Sequence, residues 1–371
     1  MINQAENYEA TQELSLKDWG VPLRAAVCEV CNLTFLIRAA DNELTCPICF
    51  QVQLEPLEGD LSALRHLYPP EMIVPWSLSP GRMQQLIDGF ASGIPFAPED
   101  LTIANLNHRI KHVFLPVWLV DVKTEASWNA EMGFNYQVVS HQERFDQNRG
   151  GWKTQQVEEQ RIRWEARLGD LERFYQNIAA PALDGDARLR KLADHSELGS
   201  SLPYEAQALG SGIVCLPNRS RQDAWQQALP TLQHIAAIEC RKASEADHVR
   251  QFDWSPKFDE QHWTLSLQPI ATTYYLDDEQ KAQPMLIHGQ SGQMHGIRSA
   301  SMKKAKRVST TILIIALVLF VAGLAGLALS PILPVIVGLS AIGVAASFAL
   351  ALSALIPVVI VWWFNRFQEG L

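Results

Sequence analysis

The sequence predicts a multi-domain fold with a small N-terminal ribbon, an α+β middle region with antiparallel sheet, and a C-terminal two-helix transmembrane hairpin. Two C-x2-C pairs lie before residue 50, and alternating apolar and polar residues recur through the middle of the chain. No charged residue occurs from Thr310 through Phe364. We expect a polar tail over 1–20, the ribbon over 21–53, the α+β region over 54–300 and a basic flank with the hairpin over 301–371.

The cysteines near the N-terminus have the spacing of a metal site. Two C-x2-C pairs are separated by fourteen residues and consist of Cys28, Cys31, Cys46 and Cys49. Each pair makes a turn that brings its thiolates together, and Leu33–Arg38 is β-prone, so a hairpin between the pairs is predicted. Four thiolates in a closed tetrahedron suit structural Zn²⁺ and leave no open position for catalysis. Disulfides, an iron–sulfur centre and chance spacing are the alternatives.

The middle region begins with a helix and two strands. Ser79 is a predicted N-cap and Pro80 the first helical residue, and Gly93 ends the helix. The apolar segment Val113–Val122 predicts a buried strand, and Glu125–Phe134 alternates as a half-buried strand does. Gln147–Gly151 is then a predicted turn.

Further strands and helices follow in the second part of the middle region. The pattern predicts strands at Lys153–Glu165, Leu168–Ile178, Trp263–Pro269, Ala271–Leu276 and Pro284–Gly296, the last with a turn at His288–Gly292. It predicts helices over Asp184–Glu197 and along Ala224–Ala236, the second bent or divided at Pro230. A helix precedes an apolar strand in each part, which suggests two related halves, 54–180 and 181–300.

Two apolar stretches near the C-terminus predict membrane spans. Thr310–Leu329 is twenty residues long, enough for about 30 Å of helix, and Val335–Val361 follows an interruption at Ser330–Pro334. Buried core helices are the alternative, but neither stretch has the polar stripe of such a helix. Small residues recur every four positions, which favours close helix packing within the hairpin or between two chains: Ala322, Gly326, Ser330, Ala341, Ala345, Ala349 and Ser353.

Charge is distributed unevenly along the chain. Of 31 Lys and Arg, five follow residue 300, and of 40 Asp and Glu only Glu369 does, so residues 1–300 have a net charge of −13. Such an acidic region disfavours nucleic acid as a partner, because affinity for phosphates comes mostly from Lys and Arg. Lys303–Arg307 and Asn365-Arg366 flank the two spans and predict that both termini face the cytoplasm. Residues 1–16 lack the features of a signal peptide.

Other combinations of chemically reactive residues have simpler interpretations. His108 and His112 lack the glutamate of H-E-x-x-H, and the segment from Gly289 to Gln293 misses the spacing of G-x-S-x-G. Cys215 and Cys240 lie in apolar surroundings and are predicted to be inert. Eight tryptophans are assigned to the core: Trp76, Trp118, Trp128, Trp152, Trp164, Trp225, Trp254 and Trp263. We therefore predict no catalytic residue and no cofactor apart from zinc.

Four segments carry a resemblance to a known family. The cysteine ribbon, HRIKHVFLPVWLVDV, TTYYLDDEQKAQPMLIHGQSGQMHG and the apolar hairpin together resemble bacterial membrane-anchored zinc-ribbon proteins of unassigned function, sometimes labelled helicase-like. His288 and Ser291 replace the Asn and Thr of that family's NGQTG-like turn. No G-x-x-x-x-G-K-[ST] motif supports the helicase label. The resemblance implies an architecture and a location in the bacterial cytoplasmic (inner) membrane.

These observations favour a membrane-anchored, cytoplasm-facing zinc-ribbon protein that acts as a non-enzymatic adaptor or scaffold. Its expected partners are membrane lipid and an unidentified protein, with oligomerisation through the transmembrane helices as a further expectation. One alternative is a hydrolase-like enzyme whose site lies in the α+β region. The other is nucleic-acid binding through the ribbon.

Overall fold

A computed structural model describes residues 16–41, 44–57, 64, 66–146, 150–184, 189, 201–329 and 337–368. Its centre is a mixed sheet in which eleven strands take part, with the main order β11-β10-β9-β5-β8-β2-β1-β3. In chain order the strands are β1 Leu23–Cys28, β2 Leu33–Arg38, β3 Glu55–Pro56, β4 Met72–Ile73, β5 Lys111–Asp146, β6 Gly151–Pro181, β7 Leu202–Pro203, β8 Ile213–Cys215, β9 His248–Leu276, β10 Ala282–His288 and β11 Met294–Gly296.

The sheet is mostly antiparallel, but two of its pairings are parallel. β4 pairs in parallel with β9, and β5 pairs in parallel with β8. The sheet predicted as antiparallel is therefore a mixed sheet. These contacts join strands that are far apart in the sequence, so neither could be inferred from local alternation.

The N-terminal ribbon is continuous with the central sheet. β2 is the predicted strand between the two cysteine pairs, but its hairpin partner is β1, which precedes Cys28, so the first pair lies in the turn of the hairpin and the hairpin predicted between the two pairs is not the one observed. β2 also pairs with β8 through Phe35–Cys215 and Leu36–Val214. β8 in turn lies beside β5. The main-chain ladder thus runs from the cysteine-bearing segment into the middle of the sheet.

Three strands are far longer than predicted. β5, β6 and β9 contain 36, 31 and 29 residues. The predicted interruptions after Val122, Glu165 and Pro269 do not occur. Near Val122 the burial of β5 changes, because residues 113–120 are all buried whereas buried and less buried residues alternate from Asp121 onward. Two β-bulges lie opposite this point, where Asn177 in β6 and Glu260 in β9 have positive φ values of 53° and 51°. Each bulge adds one residue opposite continuous β5 and disturbs the alternation without ending the strand.

The long strands form a projection that we call the arm, made of residues 123–146, 151–175 and 248–259. At about 3.3 Å per residue, the 24 residues of β5 in the arm span about 80 Å. Pairing between β5 and β9 ends at Gly133 opposite His248, whereas pairing between β5 and β6 continues to Asp146 opposite Gly151. The outer part of the arm, residues 134–146 and 151–163, is therefore a two-stranded ribbon.

One face of the inner arm is covered by α3, Arg221–Ala243. This confirms the helix predicted around Ala224–Ala236, and Pro230 lies inside it without dividing it. Trp118, Val120 and Tyr175 pack with the apolar side of α3, whose buried residues are Ala224, Ala228, Leu232 and Ala236. The helix anchors the base of the arm, while the outer ribbon extends beyond it.

Two shorter helices lie beside β9 and β10. They are α1, Pro80–Ser92, and α2, Ile103–His108. The predicted start of α1 is confirmed, since Ser79 Oγ accepts a hydrogen bond from Arg82 N at 3.2 Å, and Gly93 is its C-cap. The predicted helix Asp184–Glu197 lies largely outside the described residues.

A partly buried carboxylate links α2 to the end of β9. Asp100 accepts hydrogen bonds from Leu276 N at 2.7 Å, Asn105 Nδ2 at 3.0 Å and Arg109 Nη2 at 2.8 Å. The hydrogen-bonded guanidinium of Arg109 lowers the pKa of Asp100. The carboxylate therefore stabilises the fold above its ordinary pKa of about 3.9, and this contribution is lost as the pH falls below that value.

We expect Asp100→Asn to lower the free energy of unfolding by about 1–3 kcal/mol at pH 7, because Arg109 loses its charged partner. The difference from the parent should shrink as the pH falls below about 3.9, because protons then bind the unfolded parent more readily than the folded one. Melting curves in detergent at pH 7 and pH 3 measure both effects. Asp253→Asn, an exposed position on the arm, is the matched control and should change neither curve.

The C-terminal part is helical, as predicted. α4 comprises Met302–Leu329, and the second apolar stretch contains α5, Val337–Ser353, and α6, Ile356–Gln368. By length and composition, Met302–Leu329 and Val337–Gln368 are both able to cross a membrane. The connection predicted at Ser330–Pro334 lies outside the described residues.

The ends of these helices pack against the sheet domain. Ala305 and Val361 are buried in one cluster with Met83, Phe90 and Met285. Asn365 also donates a hydrogen bond to Ala300 O at 3.1 Å and accepts one from Ala300 N at 2.8 Å. The apolar helices are therefore joined to the domain by a packed base.

Close packing between α4 and α5 uses other small residues than those predicted. Gly323, Ser340 and Ser347 are buried, whereas Ala322 and the ladder Ala341, Ala345 and Ala349 are exposed. Gly326 is the predicted residue that does lie against α5, at Ser340. Small residues at four-residue intervals form a stripe along one side of a helix, but the interval does not show whether that side contacts the neighbouring helix.

We expect Gly323→Leu to separate α4 from α5. A Cβ atom at Gly323 would lie 2.8 Å from Val344 Cγ2 and 3.1 Å from the main-chain oxygen of Ser340, so the helix backbones must move. Such overpacking costs about 1–3 kcal/mol. Cross-linking between cysteines placed on the two helices, read in detergent, should fall sharply. Gly343→Leu is the control, since no atom lies within 4 Å of its added Cβ.

Candidate metal centre

The four predicted metal ligands come together at one point. The Sγ atoms of Cys28 and Cys49 are 3.7 Å apart, those of Cys31 and Cys46 are 3.9 Å apart, and all four lie within 4.8 Å of one another. A tetrahedral ion with sulfur ligands at about 2.3 Å requires sulfur–sulfur separations of about 3.8 Å. The arrangement therefore fits one tetrahedral ion and is too compact for a cluster of several iron atoms.

Both C-x2-C pairs have the same local structure. Asn32 N donates to Cys28 O at 2.9 Å, and Phe50 N donates to Cys46 O at 3.1 Å. Asn32 and Phe50, each directly after the second cysteine of its pair, have φ values of 53° and 55°. The left-handed backbone conformation of Asn32 and Phe50 closes each turn and brings the two sulfur atoms of a pair to the same side. A turn of this kind requires two residues between the cysteines.

Main-chain and thiol hydrogen bonds support negative charge on sulfur. Cys31 N approaches Cys28 Sγ at 3.4 Å, and the hydrogen bond from the Cys31 thiol lowers the pKa of Cys46 to about 5. Burial raises the pKa of Cys28 to about 11. A cation placed among the sulfur atoms would offset the cost of burying charged thiolates, and the four cysteines lie close enough together to hold one.

The cysteines form part of the protein core. Cys28, Cys46 and Cys49 share a buried cluster with Val113 of β5 and Leu286 of β10, among others. The metal site is thus packed on one face of the central sheet. Its occupancy is expected to influence the sheet domain as well as the ribbon.

Lys111 is a residue of the site that the sequence did not indicate. Its Nζ atom donates to Thr45 O at 2.9 Å and lies 6.0 Å from the centre of the Phe50 ring. Burial lowers the pKa of Lys111, and negative charge at Cys46 acts in the opposite direction. A tetrathiolate with a divalent ion carries a net charge of −2, which a nearby ammonium group partly offsets. Lys111 follows the cysteines by more than sixty residues, so spacing gives no signal for it.

The other candidate residues do not assemble into a second metal site. His108 ends α2, and His112 lies in β5 with its ring stacked on Trp76 at 4.5 Å between centroids. Cys215 and Cys240 are buried and separate, and burial raises the pKa of each. In the part of the chain that the structure describes, the four ribbon cysteines form the one group of metal-ligating side chains.

A cavity of about 520 Å³ lies beside the start of α4 and is lined by several acidic and basic residues. Its acidic residues already serve the fold: Asp278 accepts from Ser301 Oγ at 2.6 Å and Lys303 N at 2.8 Å, and Asp100 binds Arg109. Lys304 Nζ donates to Ala97 O at 2.6 Å. The charged side chains that line this cavity therefore form hydrogen bonds that join the start of α4 to the sheet domain.

Most of the predicted core tryptophans are at least partly buried, with one clear exception. Trp118 is buried, whereas Trp152 is 71% exposed at the end of the arm, where its ring lies 5.5 Å from Phe145. The assignment of Trp152 to the core was therefore wrong. It lies on a two-stranded ribbon, which has no interior to receive a large side chain.

Comparisons of the chain with protein-family models, curated proteins and solved structures give no match. The resemblance to bacterial membrane-anchored zinc-ribbon proteins remains an expectation from the sequence.

Proposed function

We propose that the protein is a non-enzymatic adaptor, held in the bacterial cytoplasmic membrane by its C-terminal hairpin, with a structural zinc ribbon and both termini in the cytoplasm. The observation that carries the proposal is the arm. About 80 Å of extended sheet projects from a domain whose packed base is shared with the apolar helices. Such a shape offers a long surface for another protein at a distance from the membrane.

Zinc is the metal that best suits the proposed structural role. Four sulfur ligands at tetrahedral spacing favour Zn²⁺ and leave no position for water or substrate. Zn²⁺ would be held by Cys28, Cys31, Cys46 and Cys49, and it would stabilise the ribbon without taking part in a reaction.

The exposed surface of the apolar helices supports the membrane assignment. Large apolar side chains are exposed along α4, including Ile314, Leu317, Val318 and Val321. A contiguous surface of this kind is unfavourable in water and typical of contact with lipid. The cationic flank Lys303–Arg307 supports the cytoplasmic placement of the helix start.

The outer ribbon of the arm has the composition of a recognition surface. Val139 and Phe145 are 56% and 49% exposed, although an isolated two-stranded ribbon is marginally stable in water. Binding another protein over this surface would remove apolar side chains from solvent and rigidify the ribbon. An active site, by contrast, requires a concave and enclosed arrangement.

Site-specific photo-cross-linking in cells tests the proposal. A photoreactive amino acid at Val139 should give a reproducible adduct with one protein, identified by mass spectrometry. The same group at exposed Gln207, on the sheet domain, should not give that adduct. Identical adducts at both positions, or no protein adduct at Val139, would refute the adaptor assignment.

A further inference from the structure

The outer edge of β6 is long, and among the described residues no strand covers it. Every paired residue of β6 from Gly151 to Pro181 has its partner in β5, and no other described strand pairs with β6. Alternate residues of an edge strand direct their N–H and C=O groups away from the sheet, where another strand can bind them. From Gly151 to Gln176 the edge contains neither a proline nor a bulge.

We propose that two copies of the chain associate through this edge, with the two β6 strands antiparallel and Ala166 on the two-fold axis. The sheets of the two arms would then be continuous, in the order β9-β5-β6 followed by β6-β5-β9 of the second copy. This association is independent of the adaptor role and of contacts between the apolar helices.

The charge pattern of β6 selects this register. With Ala166 on the axis, Glu165 lies opposite Arg167 of the second copy, and Glu159 lies opposite Arg173 of the second copy. Each pair occurs twice, and no like charges lie directly opposite one another. Opposite charges at facing positions stabilise antiparallel strands, and like charges destabilise them.

Neighbouring registers are unfavourable. An antiparallel pair keeps its side chains on the correct faces only if the strands slide by two residues. A two-residue shift of one β6 strand in one direction places Glu165 opposite Glu165 of the second copy. The same shift in the other direction places Arg167 opposite Arg167 of the second copy. In the favoured register the bulge-free parts of the two strands overlap from Gln156 to Gln176.

The same register gives the most exposed apolar residue of the arm a partner. Leu168 is 85% exposed, and it lies on the face of the arm opposite to α3. In the proposed pair, Leu168 of each copy faces Trp164 of the other, on both sides of Ala166. An aliphatic and an aromatic side chain at facing positions form a favourable cross-strand contact.

Charged side chains on an edge strand also have a protective role, since they oppose unwanted pairing. An edge strand that only prevents pairing needs charged side chains, but positive and negative residues can follow one another in any order. Along β6, opposite charges face each other about one residue at Glu165 with Arg167 and at Glu159 with Arg173, and the other charged residues face uncharged ones. Within one strand, Glu165 already pairs with Arg163 at 2.9 Å and with Arg167 at 2.7 Å. This order favours a second copy as the occupant of the edge.

Disulfide formation by the full-length chain in detergent or nanodiscs tests the register. Ala166→Cys should give a covalent dimer under mild oxidation, because facing Cβ atoms lie about 5 Å apart across an antiparallel pair. Gln160→Cys is the control, since its equivalent in the second copy would lie about 40 Å away. A monomeric Ala166→Cys protein, or an Ala166→Cys disulfide to a different polypeptide, would overturn the proposal.

A charge exchange tests the pairing by a second route. Glu165→Arg should weaken the dimer at least about tenfold by mass photometry, because two attractive pairs become repulsive. Combining Glu165→Arg with Arg167→Glu should restore it, and circular dichroism verifies that each variant is folded. Equal dimerisation of the parent and the Glu165→Arg variant would exclude the β6 edge and indicate association elsewhere.

Discussion

Cys46→Ser is expected to abolish tight metal binding and to unfold the ribbon together with the adjoining sheet. Structural zinc in small cysteine modules contributes apparent binding free energies of about 10–16 kcal/mol near neutral pH. The whole stability of a domain is about 5–15 kcal/mol. Because Cys46 is buried in one cluster with residues of β5, β9 and β10, the loss should extend beyond residues 21–53.

Metal content and hydrogen exchange measure this expectation. The purified parent should contain one Zn²⁺ per chain by elemental analysis, and the variant should contain none. Amide protection in β1, β2 and the neighbouring part of β5 should fall in the variant, and treatment of the parent with a strong chelator should have the same effect.

Cys215→Ala provides the matched control for the metal prediction. Cys215 is buried in the same cluster, but it is not one of the four converging cysteines. This variant should retain one Zn²⁺ and lose only the modest stability associated with a smaller side chain. Equal zinc contents in the Cys46→Ser variant and the parent would show that the four cysteines are not the metal site.

The features predicted correctly from the sequence are those that depend on neighbouring residues. The two C-x2-C pairs indicated the thiolate cluster because each turn is closed by hydrogen bonds within five residues. Ser79 and Gly93 indicated the ends of α1 because capping depends on the adjacent main chain. The long apolar stretches indicated α4 and α5 because a run of that length has few other structures available.

The features that were missed depend on contacts between distant segments. Lys111 reaches the metal site only because the sheet brings β5 beside the ribbon. The continuity of β5 was hidden by its change from burial on both faces to burial on one face, which depends on what packs against each part of the strand. The bulge opposite this point, at Asn177, is fixed by a hydrogen bond from its N–H to Asp121 Oδ1 at 2.7 Å. The contact of Gly323 with α5 likewise depends on helix rotation, which the spacing of small residues leaves undetermined.

Val318→Arg is expected to prevent stable membrane insertion of α4. Val318 lies near the middle of the apolar part of the helix and is 61% exposed, so its side chain would face lipid. An arginine at the centre of a span costs about 2.5–3.5 kcal/mol on insertion scales. The fraction of protein that resists extraction from membranes at alkaline pH should therefore fall severalfold.

Two control variants, Val308→Arg and Val318→Leu, distinguish the effect of an arginine deep in the bilayer from the effect of any substitution in α4. Val308 directly follows the cationic cluster at the start of α4, where an added arginine reaches the headgroup region and costs little. Val318→Leu preserves the apolar surface at the central position. Both controls should remain in the membrane fraction, and a soluble parent protein in the absence of detergent would exclude the hairpin as an anchor. Equal effects of Val318→Arg and Val308→Arg would indicate that α4 lies along the membrane surface or is covered by protein. In a spanning helix, by contrast, the free-energy cost of an arginine depends on its depth in the bilayer.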